Sequence, residues 1–156
     1  MPNSSIEMDK LDRKILQIVS GDARISITEL SRRVSLSKTP VQARLKRLES
    51  LGVIRGYRAI VDPVMLGLDH VAFVEVKLSD TREKALGEFN KAAVAIPEVE
   101  ECHMIAGAFD YLLKVRTQDM TRYRHVLGEK VSSLPHVAQT ATHVAMQAIK
   151  DGGIVT

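Results

Sequence analysis

The sequence predicts an α+β protein in which a winged helix-turn-helix precedes a ferredoxin-like βαββαβ domain. Two helix starts follow one another between Arg24 and Gly56. Residues 1–60 have a charge balance of +6 and residues 61–156 a balance of −3, which together give the net charge of +3. After Pro63 a strand-helix-strand pattern occurs twice, at an offset of 38 residues. These observations predict two domains, of which the basic one suits a polyanion.

The first two helices are defined by their caps and apolar stripes. Asp9 can cap a helix whose stripe ends before Gly21. Ser26 followed by Glu29 has the spacing of a capping box, in which each side chain satisfies a backbone amide of the first turn. The break at Ser35 ends the second helix and predicts a tight turn.

The third helix is the candidate recognition element. Ser37 is its N-cap candidate, Val41 and Leu48 belong to its apolar stripe, and Gly52 stands where a helix C-terminus favours a left-handed residue. The opposite face carries hydroxyl, amide and cationic groups, which can reach into a DNA major groove. A solvated helix in an ordinary α-helical bundle is the alternative.

A β-rich segment follows the helices and predicts a strand within Val53–Val61, a common winged elaboration, which Asp62 and Pro63 end. The domain boundary is placed in this region. The predicted parts are a disordered tail (1–8), a helix-turn-helix domain (9–55), a hinge strand and linker (56–67), a ferredoxin-like domain (68–150) and a second tail (151–156).

The second domain consists of two similar halves. The offset of 38 relates Val74 to Leu112 and Pro97 to Pro135. Each half is a strand, a helix and a strand, which predicts two helices on one face of a four-stranded antiparallel sheet. The open face is predicted to carry five apolar residues: Val71, Phe73, Tyr111, Leu113 and Val115. Such a patch favours a twofold dimer through the sheet, although an interdomain loop could cover it instead.

A turn of small residues lies between the two central strands. Ala106, Gly107 and Ala108 would let the atoms of a ligand approach backbone amides, and Asp110 could pair with an ammonium group. The alternative is an ordinary hairpin turn in which Asp110 binds local amides.

Catalysis, metal binding and membrane insertion have no support in the sequence. The five histidines form no metal-ligand motif, and no G-x-S-x-G, P-loop or G-x-G-x-x-G occurs. Cys102 is single, which fits a reducing cytoplasm. No apolar run approaches the roughly 20 residues that span a bilayer. We therefore expect a cytoplasmic protein without catalytic residues, metal or cofactor.

Several motifs agree with one family in order and spacing. They are L-D-R-K-I-L, D-A-R-I-S-I-T-E-L-S-R-R-V-S-L-S-K-T-P-V, E-C-H-M-I-A-G-A-F-D-Y-L-L-K and L-P-H-V. Over about residues 8–150 the chain closely resembles the Lrp/AsnC family of bacterial and archaeal transcription regulators. The resemblance implies a helix-turn-helix, a hinge strand and a ligand-sensing RAM domain of ferredoxin-like topology. It also implies dimers, often assembled into octamers, that bind free amino acids between neighbouring dimers.

The resemblance further implies where double-stranded DNA and the amino-acid effector bind. The recognition helix is residues 37–51. On and beside it we expect DNA contacts from Ser37, Lys38, Thr39, Gln42, Arg44, Lys46 and Arg47. The four cations would contact phosphates, and Thr39, Gln42 and also Lys46 would read base edges. The effector-binding residues are Met104, Ala106, Gly107, Asp110, Thr140, Thr142 and His143. The implied function is sequence-specific regulation of genes for amino-acid metabolism or transport, by a nucleoid-associated protein.

Two other function classes remain open at this point. One is a regulatory module of an enzyme, like the ACT domains, whose N-terminal helices dock a protein. The balance of +6 over residues 1–60 argues against this reading. The other is an enzyme, for which the sequence offers no reactive constellation.

Overall fold

The structure is a computed structural model that describes residues 6–151 of the chain. Two compact units meet between Ala59 and Ile60, within the predicted linker. The predicted tails lie mostly outside the described residues. Of the N-terminal one, Met8 packs on the core of the first unit.

The first unit, called the helical unit below, contains three helices. They are α1 (Lys10–Gly21), α2 (Ile27–Val34) and α3 (Lys38–Ser50). Their apolar stripes meet in one core, in which Ile15, Val41 and Leu48 are fully buried. This confirms the predicted three-helix arrangement, with α2, a short turn and α3 as the helix-turn-helix.

The helix caps differ from the predicted ones in two places. Ser26 accepts a hydrogen bond from the Glu29 amide at 3.1 Å, but the Glu29 carboxylate turns to Arg32 and Arg33 instead of completing the box. Ser37 precedes α3 in extended conformation without a side-chain capping bond. The complete capping box is at α1, where Asp9 and the third helical residue satisfy each other's amides.

The turns at the ends of α2 and α3 follow the predicted chemistry. Ser35 has a φ of 57°, in the left-handed region, and turns the chain between the two helices. Gly52 has a φ of 70°, and the Val53 amide donates to the Leu48 carbonyl at 3.0 Å. These are the features of a helix that ends at a left-handed glycine.

The predicted hinge strand after α3 is wrong for the single chain. Residues 55–60 have no regular secondary structure, and Val61 forms only an isolated bridge. Tyr57 and Ile60 are exposed here. A β-rich composition supplies the side chains of a strand, but a strand also needs a neighbour for its backbone hydrogen bonds, and among the described residues this segment has none.

The second unit, called the sheet unit below, has the predicted topology. Its strands are β1 (His70–Leu78), β2 (Val99–Met104), β3 (Tyr111–Thr117) and β4 (Val137–Val144). They form one antiparallel sheet in the order β2-β3-β1-β4. Helix α4 (Glu83–Val94) and helix α5 (Met120–Val126), which a π-helical turn extends to Val131, cover one face. This is the ferredoxin-like sandwich.

The predicted face of β3 is wrong by one residue. In the β1–β3 register, Val74 lies opposite Leu113 and Ala72 opposite Val115, and directly opposed residues share a face. Tyr111, Leu113 and Val115 therefore pack in the core beneath the helices, where Tyr111 is 2% exposed and the other two fully buried. The buried residues of β1 and β3 are thus related by an offset of 39, as Val74 is to Leu113 and Val76 to Val115, whereas the helices keep the offset of 38.

The open face of the sheet is consequently more polar than predicted. From β1 it carries Val71, Phe73, Glu75 and Lys77, and their partners on β3 are Arg116, Lys114 and Leu112. Phe73 is 37% exposed, but Val71 is only 6% exposed. Apolar and charged side chains thus alternate across this face, in place of an unbroken apolar patch.

Candidate nucleic-acid interface and effector site

The outward face of α3 presents four of the predicted DNA-binding side chains to solvent. Lys38, Thr39, Gln42 and Lys46 are exposed, while Val41 on the opposite face is fully buried. Among the ion pairs of the described residues, none involves Lys38 or Lys46. Ser37 is exposed as well, at the N-terminal end of the helix. The helix therefore offers hydroxyl, amide and two unpaired ammonium groups on one side.

The two predicted arginines of α3 point instead towards the start of α1. Arg44 Nη1 donates to Asp9 Oδ2 at 2.7 Å and to Asp12 Oδ1 at 2.8 Å. Arg47 Nη1 donates to Asp12 Oδ2 at 3.0 Å and its Nη2 to the Glu7 carbonyl at 2.9 Å. No local sequence pattern indicates this pairing, because the partners are more than 30 residues apart.

Asp12 is the centre of this cluster. Its residue is 1% exposed, and burial alone would raise its pKa. Hydrogen bonds from Arg44, the Asp9 amide and Arg47 outweigh burial and hold the pKa of Asp12 below its ordinary value. The group is therefore an ionised carboxylate at neutral pH. The sequence feature that could have indicated the role of Asp12 is its position three residues after the Asp9 cap, which is the spacing of a capping box.

The predicted effector residues do not gather on one surface. Thr140 and Thr142 lie opposite Val76 and Val74 on the helix-covered side, where Thr142 shares a hydrogen bond with the Tyr123 hydroxyl. His143 belongs to the open face. The other predicted residues are Met104, exposed at the end of β2, and Ala106 and Gly107 in the β2–β3 loop.

Gly107 has no conformational need to be glycine. Its φ is not in the left-handed region, and an added Cβ would meet only the Ile105 side chain, at an ordinary 3.6 Å. The predicted close approach of a ligand to the amides of this loop stays a prediction.

The Asp110 carboxylate already has partners within the chain. Its Oδ2 accepts from the Leu78 amide at 2.7 Å and its Oδ1 from Lys77 Nζ at 3.2 Å. The hydrogen bond from the Leu78 amide is the main cause that lowers the pKa of Asp110; burial opposes it, and Lys77 lowers the pKa further. Asp110 therefore joins the β2–β3 loop to the end of β1, where the β1–β4 register shifts between Lys77 and Leu78.

A small cavity of about 120 Å³ lies beside this loop on the open face. Its lining is Glu75, Lys77, Ala108, Phe109, Gln139, Thr140 and Ala141. Only Thr140 was among the predicted effector residues. Glu75 Oε1 is also bonded to His143 Nε2 at 3.1 Å. The sequence shows that Glu75 and Lys77 alternate with apolar residues along β1. That they lie near Gln139 depends on the pairing of β1 with β4.

A larger cavity of about 800 Å³ lies along the open face, between residues 60–64 and residues 145–151. Lys114 and Arg116 lie on its floor. Both are already paired: Lys114 with Glu100 at 3.2 Å, and Arg116 with Glu100 and Asp151. The Arg116 side chain is 5% exposed. Both cations therefore already have carboxylate partners within the protein.

Residues 6–151 contain neither a metal-binding cluster nor a membrane-spanning helix. No cluster of three or more His, Cys, Asp or Glu side chains in this range could hold a metal ion. No helix in it is long and apolar enough to cross a membrane.

Comparison with known proteins shows what these two units are. Residues 8–55 match the winged helix-turn-helix DNA-binding family, and residues 71–155 match the Lrp/AsnC ligand binding domain. The chain belongs to the Lrp/AsnC family. The resemblance drawn from the motifs is thus confirmed. As a member of this family, the chain is a DNA-binding transcription regulator with a ligand-binding domain, and not an enzyme.

Relatives in the Lrp/AsnC family cover almost the whole chain. The proline dehydrogenase transcriptional activator of Rhizobium radiobacter is 64% identical over 95% of both chains. The leucine-responsive regulatory protein of Escherichia coli is 44% identical over 92% of this chain and 88% of its own. Both relatives are named as regulators.

Solved structures of the family share the fold. A transcriptional regulator of Neisseria meningitidis in complex with L-Met superposes with a TM-score of 0.86 at 33% identity, covering 93% of this chain and 94% of its own. An AsnC family transcriptional regulator of Agrobacterium tumefaciens gives a TM-score of 0.87 at 32% identity, covering 92% and 94%.

Proposed function

We propose that the chain activates transcription of a proline dehydrogenase gene and takes proline as its effector. The observation that carries this proposal is the 64% identity, over 95% of both chains, with the Rhizobium radiobacter activator of proline dehydrogenase. A second relative of the same name, from Rhodobacter capsulatus, is 58% identical over 91% of this chain. An activator of a degradative enzyme is useful when it senses that enzyme's substrate, which for this enzyme is proline.

The small cavity beside the β2–β3 loop is the proposed proline site. At about 120 Å³ it is smaller than the roughly 300–1,000 Å³ of sites for drug-sized ligands. A free amino acid carries one negative and one positive group. The cavity has a counterpart for each, because Glu75 can accept from the secondary ammonium and Lys77 can donate to the carboxylate. Phe109 and Ala141 supply apolar surface for the pyrrolidine ring.

In this proposal Asp110 supports the site and does not touch the ligand's ammonium. Its contact with Lys77 Nζ at 3.2 Å would hold the Lys77 ammonium where it binds the carboxylate of proline. The sequence-based alternative, a direct contact between Asp110 and the effector, stays a prediction. So do contacts from Met104, Ala106, Gly107, Thr142 and His143. The Glu75–His143 bond would give His143 an indirect role, because it orients Glu75.

On the DNA side we assign different roles to the exposed residues of α3. Thr39 and Gln42 would read base edges in the major groove, where a glutamine suits adenine. Lys38 and Lys46 would contact phosphates, since their ammonium groups are unpaired among the described residues. Proline would affect DNA binding only if it favours one arrangement of the assembled subunits over another.

A homo-oligomer completes the proposal, as a dimer that assembles into an octamer on the nucleoid in the cytoplasm. Phe73 on the open face and Tyr57 and Ile60 in the linker leave apolar surface exposed in the single chain. A twofold dimer would also match the symmetry of a palindromic operator. Light scattering coupled to size exclusion, with and without proline, measures the assembly state.

A thermal-shift titration tests the effector. Proline is expected to raise the melting temperature of the full-length chain, because a ligand that binds only the folded state stabilises it. Leucine, methionine and 4-hydroxyproline serve as comparison ligands. Glu75→Gln is expected to abolish the proline shift, and Glu83→Gln, an exposed carboxylate on α4, to leave it intact. A shift with leucine or methionine but not with proline would contradict the proposed effector.

Gel mobility shift tests the target. We expect the full-length chain to bind the promoter of the organism's own proline dehydrogenase gene specifically. We also expect it to activate a reporter under that promoter when proline is present. Binding to that promoter no tighter than to a shuffled duplex would refute the proposed target, whatever the effector proves to be.

A further inference from the structure

One flank of α3, beside its exposed DNA-binding side chains, carries Arg44 and Arg47. Arg44 and Arg47 are three residues apart and lie on the same side of the helix. Both reach the first turn of α1, where Asp9 and Asp12 accept their hydrogen bonds at 2.7–3.0 Å. Two successive turns of α3 are thereby attached to one turn of α1.

Asp12 uses both carboxylate oxygens in this cluster. Oδ1 accepts from Arg44, and Oδ2 accepts from Arg47 and, at 3.3 Å, from the Asp9 amide. The same residue is the third of α1 and completes its capping box. A buried carboxylate is costly unless it is paired and hydrogen-bonded. The local structure therefore favours one arrangement, in which both arginines remain at Asp12.

The apolar core also holds α3 in place, but with less directional control. Burial of Val41 and Leu48 is non-directional, since it is roughly proportional to the area removed from water. Charge-assisted hydrogen bonds from guanidinium to carboxylate constrain angle as well as distance. A recognition helix has to present its side chains to base edges at a defined angle, so the ionic cluster adds a constraint that the core lacks.

We infer that Asp12 is a positioning residue for DNA recognition, which sets the orientation of α3 and withholds Arg44 and Arg47 from the phosphates. The inference rests on the DNA-binding function of the family and not on the proline proposal. It has an unusual consequence for the neutral variant. Asp12→Asn would release two cations next to the recognition face, so that the variant binds non-specific DNA more tightly while it loses discrimination.

The test compares two duplexes with the full-length chain. One is the tightest-binding duplex recovered by in vitro selection with the wild type, and the other is its shuffled sequence. Dissociation constants are measured at several salt concentrations for wild type, Asp12→Asn and Asp22→Asn. Asp22 is the matched control, because it is exposed in the same unit and its bond with the Arg24 amide can persist in asparagine.

For Asp12→Asn the ratio of specific to non-specific affinity is expected to fall about tenfold, roughly the effect of one good base contact. Its salt dependence on the shuffled duplex is expected to steepen by about 0.9 in log–log slope for each arginine that reaches a phosphate. Asp22→Asn should change neither the ratio nor the slope. Equal losses on both duplexes at unchanged slope would mean a role in stability alone, and would overturn the inference.

A second variant keeps the inference testable if Asp12→Asn does not fold. Arg47 is 46% exposed in its side chain, so Arg47→Gln is a mild change. Its salt slope on the selected duplex should equal that of the wild type, because Arg47 is held by Asp12. A decrease of about 0.9 would show a phosphate contact and would overturn the inference. Failure of the selection itself to yield a preferred duplex would contradict specific DNA binding, a separate result.

Discussion

The outward face of α3 in the helical unit and the open face of the sheet unit differ in how their cationic side chains are paired. On the open face of the sheet unit Lys77, Lys114 and Arg116 are all paired with carboxylates, and the Arg116 side chain is 5% exposed. On α3 of the helical unit Lys38 and Lys46 are exposed and have no ion pair among the described residues. Whether each cation has an ion-pair partner therefore indicates a DNA-binding surface better than the net charge of +6 over residues 1–60 does.

The largest expected effect is on stability, at the buried cation of the sheet unit. Arg116→Met should destabilise the protein by about 3 kcal/mol, because Glu100 and Asp151 lose the buried guanidinium that both of them contact. Lys114, at 3.2 Å from Glu100 and 3.6 Å from Asp151, still pairs with both carboxylates. Differential scanning calorimetry measures the change. Arg82→Met is the control, since the Arg82–Asp80 pair has its arginine 87% exposed and surface pairs contribute about 0–1 kcal/mol. Equal effects of the two variants would remove the contrast between buried and surface cations.

The second effect is on DNA binding, at the unpaired cations of α3. Lys38→Ala with Lys46→Ala should weaken binding to the selected duplex by roughly tenfold to a hundredfold and reduce its salt slope by about 2. The melting temperature should not change, because neither ammonium has an ion-pair partner to lose within residues 6–151. Lys84→Ala with Lys91→Ala makes the same change of charge in the sheet unit. If this control pair weakened binding as much, net charge alone would explain the result.

The third effect concerns acid and the loop beside the proposed proline site. The lowered pKa of Asp110 means that its contribution to stability is present above its ordinary pKa of 3.8 and is lost as the pH falls through the folded-state value. Asp110→Asn should cost about 1 kcal/mol at pH 7 and flatten the fall of melting temperature below about pH 4. A curve parallel to that of the wild type would contradict the assignment, and Asp69→Asn, an exposed carboxylate, provides the reference.

The smallest effect is expected in the turn between α2 and α3. Ser35→Gly should raise the free energy of unfolding by about 0.5–1 kcal/mol. A left-handed conformation costs a non-glycine residue about 1–2 kcal/mol, and glycine avoids this cost. Glycine also increases the entropy of the unfolded chain, which offsets part of the stabilisation. Calorimetry of the full chain measures it. The variant also sharpens the comparison between units, because DNA affinity should stay constant if the turn contributes geometry and no contact.

Residues whose environment is set by near neighbours could be predicted from the sequence. The stripe of Val41 and Leu48, the left-handed Gly52 and the exposed Thr39 and Gln42 all follow from positions within one or two turns. The repeat with its two prolines was also sufficient for the sheet topology. In each case the spacing within a short segment carries the information.

Features that depend on distant partners could not be predicted in the same way. Whether Leu112 or Leu113 enters the core depends on the register with β1, nearly 40 residues earlier, and a shift of one residue exchanges the faces. The residues near Arg44 in the sequence do not indicate its pairing with Asp9 and Asp12, which only the packing of α3 on α1 produces. Glu75 and Gln139 became neighbours only through the pairing of β1 with β4.

The unequal offsets of the sheet unit have a practical consequence. The first strands of its two halves, β1 and β3, differ by 39 positions and the helices by 38, so one residue has been gained or lost between Val76 and Phe89 relative to the other half. The connection from β1 to α4 has accommodated that change while Val76 and Phe89 stayed fully buried. Exposed connections of this kind tolerate insertions. A short peptide tag at Thr81, a labelling handle for single-molecule work on promoter DNA, should leave the fold of either half intact.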